Sequence, residues 1–253
     1  QLMSDHFKPG MIPARIGTER DRLIHRITGV SDPYAENKRR SNALALKLLP
    51  KVEEFISNFK PGYERFRKAC IASIVGNTIE FDVPGHIFIP EKLVELVQKT
   101  MLVVDRTPEI YELLQRSKSV LFLTDNAGEI AFDTILVKEI RQLGPKVTVA
   151  VKSSPMLDDA LLSDAYKVGM EKVADKIVTT GSNSVGLFLE EASKEFRKYW
   201  QASELILAKG MGYYETLTEI NLEKPTANLL TAKCNPVAQS VSVERESSLA
   251  LLL

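Results

Sequence analysis

From Ser119 onward the chain repeats one pattern: a short apolar run rich in β-branched residues, a polar turn, and usually an amphipathic stretch of helix length. Such alternation builds βαβ units, and strands apolar at every position are buried on both faces of a parallel sheet. The runs lie at residues 120–123, 147–151, 176–179, 205–208 and 229–232. Between two of them, Val185, Phe188, Leu189, Ala192 and Phe196 share one face of a helix expected to begin at Val185, with Glu190, Glu191, Lys194 and Arg197 left for the other face.

Before residue 118 strand signals are nearly absent. Apolar residues recur at helical spacing over residues 20–28, 34–59, 63–75 and 91–104. Pro33 suits a helix start, Pro50 is expected to kink or split the second segment, and Lys60-Pro61-Gly62 separates it from the third. The pattern predicts a helical domain over residues 1–118, placed to lid a site, and a parallel α/β domain over residues 119–253.

The 253 residues carry 33 basic and 33 acidic side chains. This balance lacks the basic footprint that nucleic acid requires, so a small ligand is the expected partner. No apolar run is long enough to span a bilayer, and a cytoplasmic location is expected. Cys70 and Cys234 are too few for a disulfide framework or a thiolate zinc site. His6, His25 and His86 show no ligand spacing.

In open parallel sheets ligands bind beyond the carboxyl ends of the strands. The turns there read Thr124-Asp125-Asn126-Ala127-Gly128-Glu129, Lys152-Ser153-Ser154-Pro155-Met156-Leu157-Asp158-Asp159, Thr180-Gly181-Ser182-Asn183-Ser184, Lys209-Gly210-Met211-Gly212 and Lys233-Cys234-Asn235-Pro236. Asp125, Asn126 and Asp159 offer three hard oxygen donors from neighbouring turns, a set suited to Mg²⁺ or Mn²⁺, with Co²⁺ or Ni²⁺ possible. The competing reading makes both acidic turns helix caps, their oxygens satisfying orphan N–H groups.

Lys209, followed by Gly-Met-Gly, is expected to meet an anion, and Gly181 with Ser182 to cradle a phosphate. Glu129 and Asp133, four residues apart on one helical face, are candidates for a general base or for partners of a metal ligand, and Glu129 also for a substrate contact. Asn77, in the polar turn Gly76-Asn77-Thr78-Ile79-Glu80-Phe81-Asp82, is expected to reach substrate from the helical side.

Together these segments resemble the damage-control phosphatase family, once catalogued only as a domain of unknown function, and its archaeal branch in particular. The similarity runs through Asp32-Pro33-Tyr34 with Lys38, Gly76-Asn77-Thr78-Ile79-Glu80-Phe81, Asp125-Asn126-Ala127-Gly128-Glu129 with Phe132-Asp133, Leu157-Asp158-Asp159-Ala160 with Asp164-Ala165, Thr180-Gly181, Lys209-Gly210-Met211-Gly212 with Glu215-Thr216, and Ala232-Lys233-Cys234. It implies a three-layer α/β/α domain with a mainly parallel Rossmann-like sheet and an N-terminal helical domain. It also implies a divalent metal at Asp125, Asn126 and Asp159, a phosphate contact at Lys209, and hydrolysis of small phosphomonoesters, commonly with Mn²⁺, Ni²⁺ or Co²⁺. Three features depart from the branch: its paired N-terminal cysteines are missing, Tyr213 stands where Asn is usual, and Glu80 replaces Asp.

The expected chemistry is attack by a metal-activated water, with Asp125 less favoured as a covalent nucleophile. A haloacid-dehalogenase-type phosphatase would need an Asp at Ala127. An S-adenosylmethionine-dependent methyltransferase would need a Gly-x-Gly-x-Gly first turn, which Asp125-Asn126-Ala127-Gly128-Glu129 does not provide. A non-catalytic sensor of phosphometabolites would bind ligand and release no phosphate.

Overall fold

The computed structural model describes residues 10–78 and 92–253; Ile79-Glu80-Phe81-Asp82, His6 and His86 lie outside them. Helix α1 (Pro13–Thr28) has proline in its first turn and stops at Gly29 in the left-handed conformation, so it starts before the expected residue 20 at a residue preset for a helix beginning. Helix α2 (Ala35–Ser57) runs through Pro50 without splitting. An interior proline costs about 3 kcal/mol, and the buried stripe Ala45, Leu48, Val52 and Ile56 offsets it at about 1.5–3 kcal/mol per large side chain. Helix α3 (Tyr63–Gly76) follows, then α4 (Leu93–Lys99).

The helix expected over residues 91–104 is overturned at its end. Strand β1 (Leu102–Asp105) occupies that stretch, followed by α5 (Thr107–Arg116). Val103-Val104 favours extended backbone, and pairing with another strand decides the matter.

The remaining elements are β2 (Ser119–Leu123), α6 (Glu129–Gln142), β3 (Lys146–Val151), α7 (Leu162–Lys167), β4 (Lys176–Thr179), α8 (Lys194–Ala202), β5 (Leu205–Lys209), α9 (Gly210–Leu217), β6 (Thr226–Thr231), α10 (Asn235–Ser240) and β7 (Ser248–Leu252). The helix expected from Val185 begins only at Lys194, where the Ser193 hydroxyl accepts the Phe196 N–H. Residues 185–193 are irregular because their backbone is held by other partners, described below. Strand β6 ends at Thr231 rather than Ala232.

The sheet order is β1-β7-β6-β5-β2-β3-β4. The five strands from β6 to β4 are parallel, β7 runs antiparallel to β6, and β1 pairs parallel with β7. Alternate residues of a strand face opposite sides. Val120 and Phe122 enter one apolar core, and Leu121 and Leu123 enter the other. The first core also takes in Ala45, Val52, Phe66 and Ile71 of α2 and α3, so it runs unbroken across residue 118, and β1 and α5 join the sheet from before that point.

Helix α6 is buried on nearly every side, between the sheet and α3. Gly76 permits this approach: a Cβ there would lie 2.7 Å from the Phe132 ring. The end of α3, and Asn77 with it, is thereby brought to the carboxyl edge of β2.

Candidate active site

Strands β2 and β5 are neighbours from which the chain departs in opposite directions, β2 toward β3 and β4, β5 toward β6. At such a switch point the turns diverge and leave a crevice beyond the strand ends. A cleft of about 240 Å³ opens there, lined by Asn77, Asp125, Asn126, Asp158, Asp159 and Lys233, with Leu157, Val185 and Met211 as its apolar wall. A hollow of about 290 Å³ lies elsewhere, beside Trp200, Arg197 and Lys224. Its Lys224 ammonium donates to the carbonyls of Trp200, Gln201 and Ser203, and Arg197 to that of Ala192, so these cations serve the fold.

The two acidic turns are joined by backbone. Asn126 and Asp159 form an isolated antiparallel bridge, in which the Ala160 N–H donates to the Asp125 carbonyl at 2.8 Å and the Ala127 N–H to the Asp158 carbonyl at 2.9 Å. Neither acid caps a helix. Gly128 precedes α6, and its N–H donates to Asn42 Oδ1 at 2.8 Å. At α7 it is Asp164 that accepts the Leu161 N–H at 2.9 Å. Asp125 and Asp159 are thus left facing the cleft.

Asn77 is the hinge of the polar contacts. Its Nδ2 donates to Asp125 Oδ2 at 3.1 Å and to Glu129 Oε2 at 2.5 Å, and its Oδ1 accepts from Lys233 Nζ. One amide therefore orients a carboxylate and an ammonium together. Gly210 lets backbone approach the same carboxylate: its φ is +78°, and a Cβ would sit 2.0 Å from Asp125 Oδ2. The first turn of α9, with its outward N–H groups, opens at this point.

Several expected site residues are placed differently. Lys209 does not line the cleft; it is fully buried, its Nζ donating to Glu129 Oε1, to Asp133 Oδ1 at 3.1 Å and to the Ser73 carbonyl at 3.1 Å. Burial works against its charge, and Asp133 and Glu129 more than offset this, holding the ammonium above its ordinary range. Ser73 Oγ also donates to Asp133 at 2.6 Å. Lys209 is thus the counter-ion of two buried acids beneath the cleft.

Gly181 and Ser182 also stand back from the cleft. Gly181 is pressed against Ser193, and the Ser182 hydroxyl pairs with that of Ser184 at 3.0 Å. The residues of that turn reaching the cleft are Val185 and Gly186. The sequence assigns no role to Lys233 or Lys152, although both, like Lys209, are lysines at or just beyond strand ends, and that shared position is the available signal.

The acids are electrostatically out of balance. Asp125 is pushed well above the usual carboxylate range by burial, then by the negative charges of Glu129 and Asp159. Burial raises Asp159 to about 6 against the opposing charge of Lys152. Between the ordinary value of 3.8 and about 6, native Asp159 keeps a proton that the unfolded chain has lost, so stability falls as pH rises through that window. In the presence of chelator, Asp159→Asn is therefore expected to gain about 1–3 kcal/mol relative to the unsubstituted protein between pH 4 and pH 7. Urea denaturation at the two pH values checks this, and a pH-independent difference would contradict it.

Among the described residues, no three His, Cys, Asp or Glu side chains gather into a metal cluster; Asp125, Asn126 and Asp159 bring two carboxylates and one amide to the cleft lining. No described helix is long and apolar enough to cross a membrane.

Residues 1–249 match the family model of the damage-control phosphatase ARMT1-like domain. The chain is 38% identical over 246 residues to a damage-control phosphatase of Archaeoglobus fulgidus, covering 96% of this chain and 83% of that protein. It is 33% identical over 249 residues to a damage-control phosphatase of Pyrococcus horikoshii, covering 97% and 83%. The crystal structure of a DUF89 family protein from Pyrococcus horikoshii superposes with a TM-score of 0.87 at 33% identity, covering 99% of this chain and 85% of that one. The chain therefore belongs to the ARMT1-like damage-control phosphatase family, a family of phosphatases.

Proposed function

We propose that the cleft hydrolyses small phosphomonoesters, damaged or surplus phosphometabolites such as sugar phosphates, phosphopantetheine derivatives or nucleotide-related compounds, with a divalent cation held by Asp125, Asn126 and Asp159. The observation that carries this reading is the bridge between Asn126 and Asp159, which joins the two acidic turns at a cleft lined also by Asp125, Lys233 and the first turn of α9.

The donor set fits a hard cation such as Mn²⁺, Co²⁺, Ni²⁺ or Mg²⁺. Asp125 and Asp159 are close enough for one charge to raise the other's proton affinity, and that shortage of positive charge favours a dication. A cation held by these residues would draw charge from the phosphoryl oxygens and would lower the pKa of a water. The protein's own groups do the rest. Asn77 fixes the Asp125 carboxylate and points Lys233 into the cleft, while Lys209 compensates Glu129, which anchors Asn77 from below. Lys233 and the N–H groups opening α9 offset the negative charge that the ester brings.

Lys233 replaces Lys209 as the phosphate contact. Losing one charge-assisted hydrogen bond costs about 1.5–3 kcal/mol, so Lys233→Met is expected to raise KM for an aryl phosphate roughly 10- to 100-fold. Steady-state kinetics on the folded variant reads this directly. An unchanged KM would remove Lys233 from the phosphate site.

A further inference from the structure

We propose that Lys152 is a positioning residue: its ammonium fixes the cleft wall formed by Val185 and Gly186 relative to the Asp159 carboxylate, and so sets how a phosphate ester is seated. This rests on the function proposed above for the cleft.

Lys152 is the first residue beyond β3 and is 2% exposed. Its Nζ donates to the Ser184 carbonyl at 2.7 Å and to the Gly186 carbonyl, and lies 3.4 Å from Asp159 Oδ2. An ammonium has three donors and no acceptor, so these groups exhaust it. Its Nζ also lies over the Tyr213 ring, 4.6 Å from the centre. Its own N–H donates to the Ala160 carbonyl at 3.0 Å, closing the excursion that carries Asp159.

The wall depends on this cation. Residues 184–187 are irregular, and their other backbone holds are the Thr18 hydroxyl oxygen, accepting the Val185 N–H at 2.9 Å, and that of Thr216, accepting the Leu187 N–H at 3.0 Å. Gly186 (φ +66°) is wedged against the start of α9: a Cβ there would lie 2.1 Å from the Gly212 carbonyl oxygen. Without Lys152, the buried Ser184 and Gly186 carbonyls lose their donor. A buried carbonyl without a partner is costly enough to make the segment move toward water.

Removing Lys152 therefore has two effects of opposite sign. The wall loosens, which weakens ester binding. At a pH where Asp159 is ionised in both proteins, its carboxylate loses a competing positive charge and becomes a better ligand for a dication. General damage would weaken both together.

The test compares the full-length protein with Lys152→Met and Lys152→Arg. In the presence of chelator, hydrogen exchange at the Val185 and Leu187 amides is expected to quicken about 100-fold in K152M and about tenfold in K152R. With Mn²⁺ and an aryl phosphate, at a pH where Asp159 is ionised in both proteins, KM is expected to rise about tenfold in K152M while half-saturating Mn²⁺ falls a few-fold, and K152R is expected to raise KM a few-fold at unchanged Mn²⁺ dependence. Unchanged exchange at both amides, or KM and Mn²⁺ half-saturation worsening together, would overturn the proposal. If K152M does not fold, K152R decides by the same readings, and unchanged exchange with unchanged KM overturns it. If the unsubstituted protein hydrolyses no ester with any cation, the proposed function fails by itself, and exchange at the two amides alone decides for or against Lys152.

Discussion

Asp125→Ala is expected to lower kcat/KM for a phosphomonoester by about three orders of magnitude, since a dication's charge stabilisation is worth several kcal/mol and each 1.36 kcal/mol is tenfold. The fold should survive. Burial, then the charges of Glu129 and Asp159, disfavour an ionised Asp125, and Asn77 keeps Glu129 and Lys233 as partners when the carboxylate is gone. The expected result is thus a cooperatively folded, nearly inactive protein whose melting temperature in chelator equals or exceeds that of the unsubstituted chain. Turnover within tenfold of the unsubstituted chain would remove Asp125 from the reaction.

The opposite profile is expected at Lys209. Lys209→Met leaves Glu129 and Asp133 buried without their counter-ion, and breaking a buried pair from one side costs about 3–5 kcal/mol. Asp133 already has one oxygen, Oδ2, without a hydrogen-bond partner, so nothing stands ready to absorb the loss. Denaturant unfolding should show a midpoint shift of that size. A variant as stable as the unsubstituted protein but raised in KM would return Lys209 to the phosphate, where its strand-end position first suggests it belongs.

What the sequence discloses and withholds follows from range. Strands β2, β3 and β5 are apolar at nearly every position because both faces are covered, and that shows in Val120-Leu121-Phe122-Leu123 without any partner being known. Strand β7, Ser248–Leu252, has a Leu- and Ala-rich composition that does not favour a strand; it is extended because it pairs with β6 and β1. The edge strand β1 is four residues long, too short for alternation to show. Over residues 185–193 the apolar spacing is helical, yet Lys152 takes the Ser184 and Gly186 carbonyls that the first helical turns would use, and Thr18 and Thr216 hold the Val185 and Leu187 N–H groups in place.

For the candidate site, the meeting of Asp125, Asn126 and Asp159 at one cleft is legible because strand-end turns must gather at one edge of a parallel sheet. Which strand-end lysine faces the cleft is not. Lys152, Lys209 and Lys233 occupy similar places in the sequence, and their roles divide by burial: the first two sit 2% and 0% exposed among carbonyls and carboxylates, whereas Lys233 lines the cleft. Asn77 was found from its polar turn, but its part in joining Asp125, Glu129 and Lys233 depends on α3 packing against α6 through Gly76.

The measurement that tests the central claim most directly is phosphate release from an aryl phosphate by metal-stripped protein, resupplied in turn with Mg²⁺, Mn²⁺, Co²⁺ and Ni²⁺. The account predicts negligible release without metal, restoration by at least one of the four cations, and no restoration in Asp125→Ala or Asp159→Ala. Equal release by the folded, stripped protein with and without metal would contradict it.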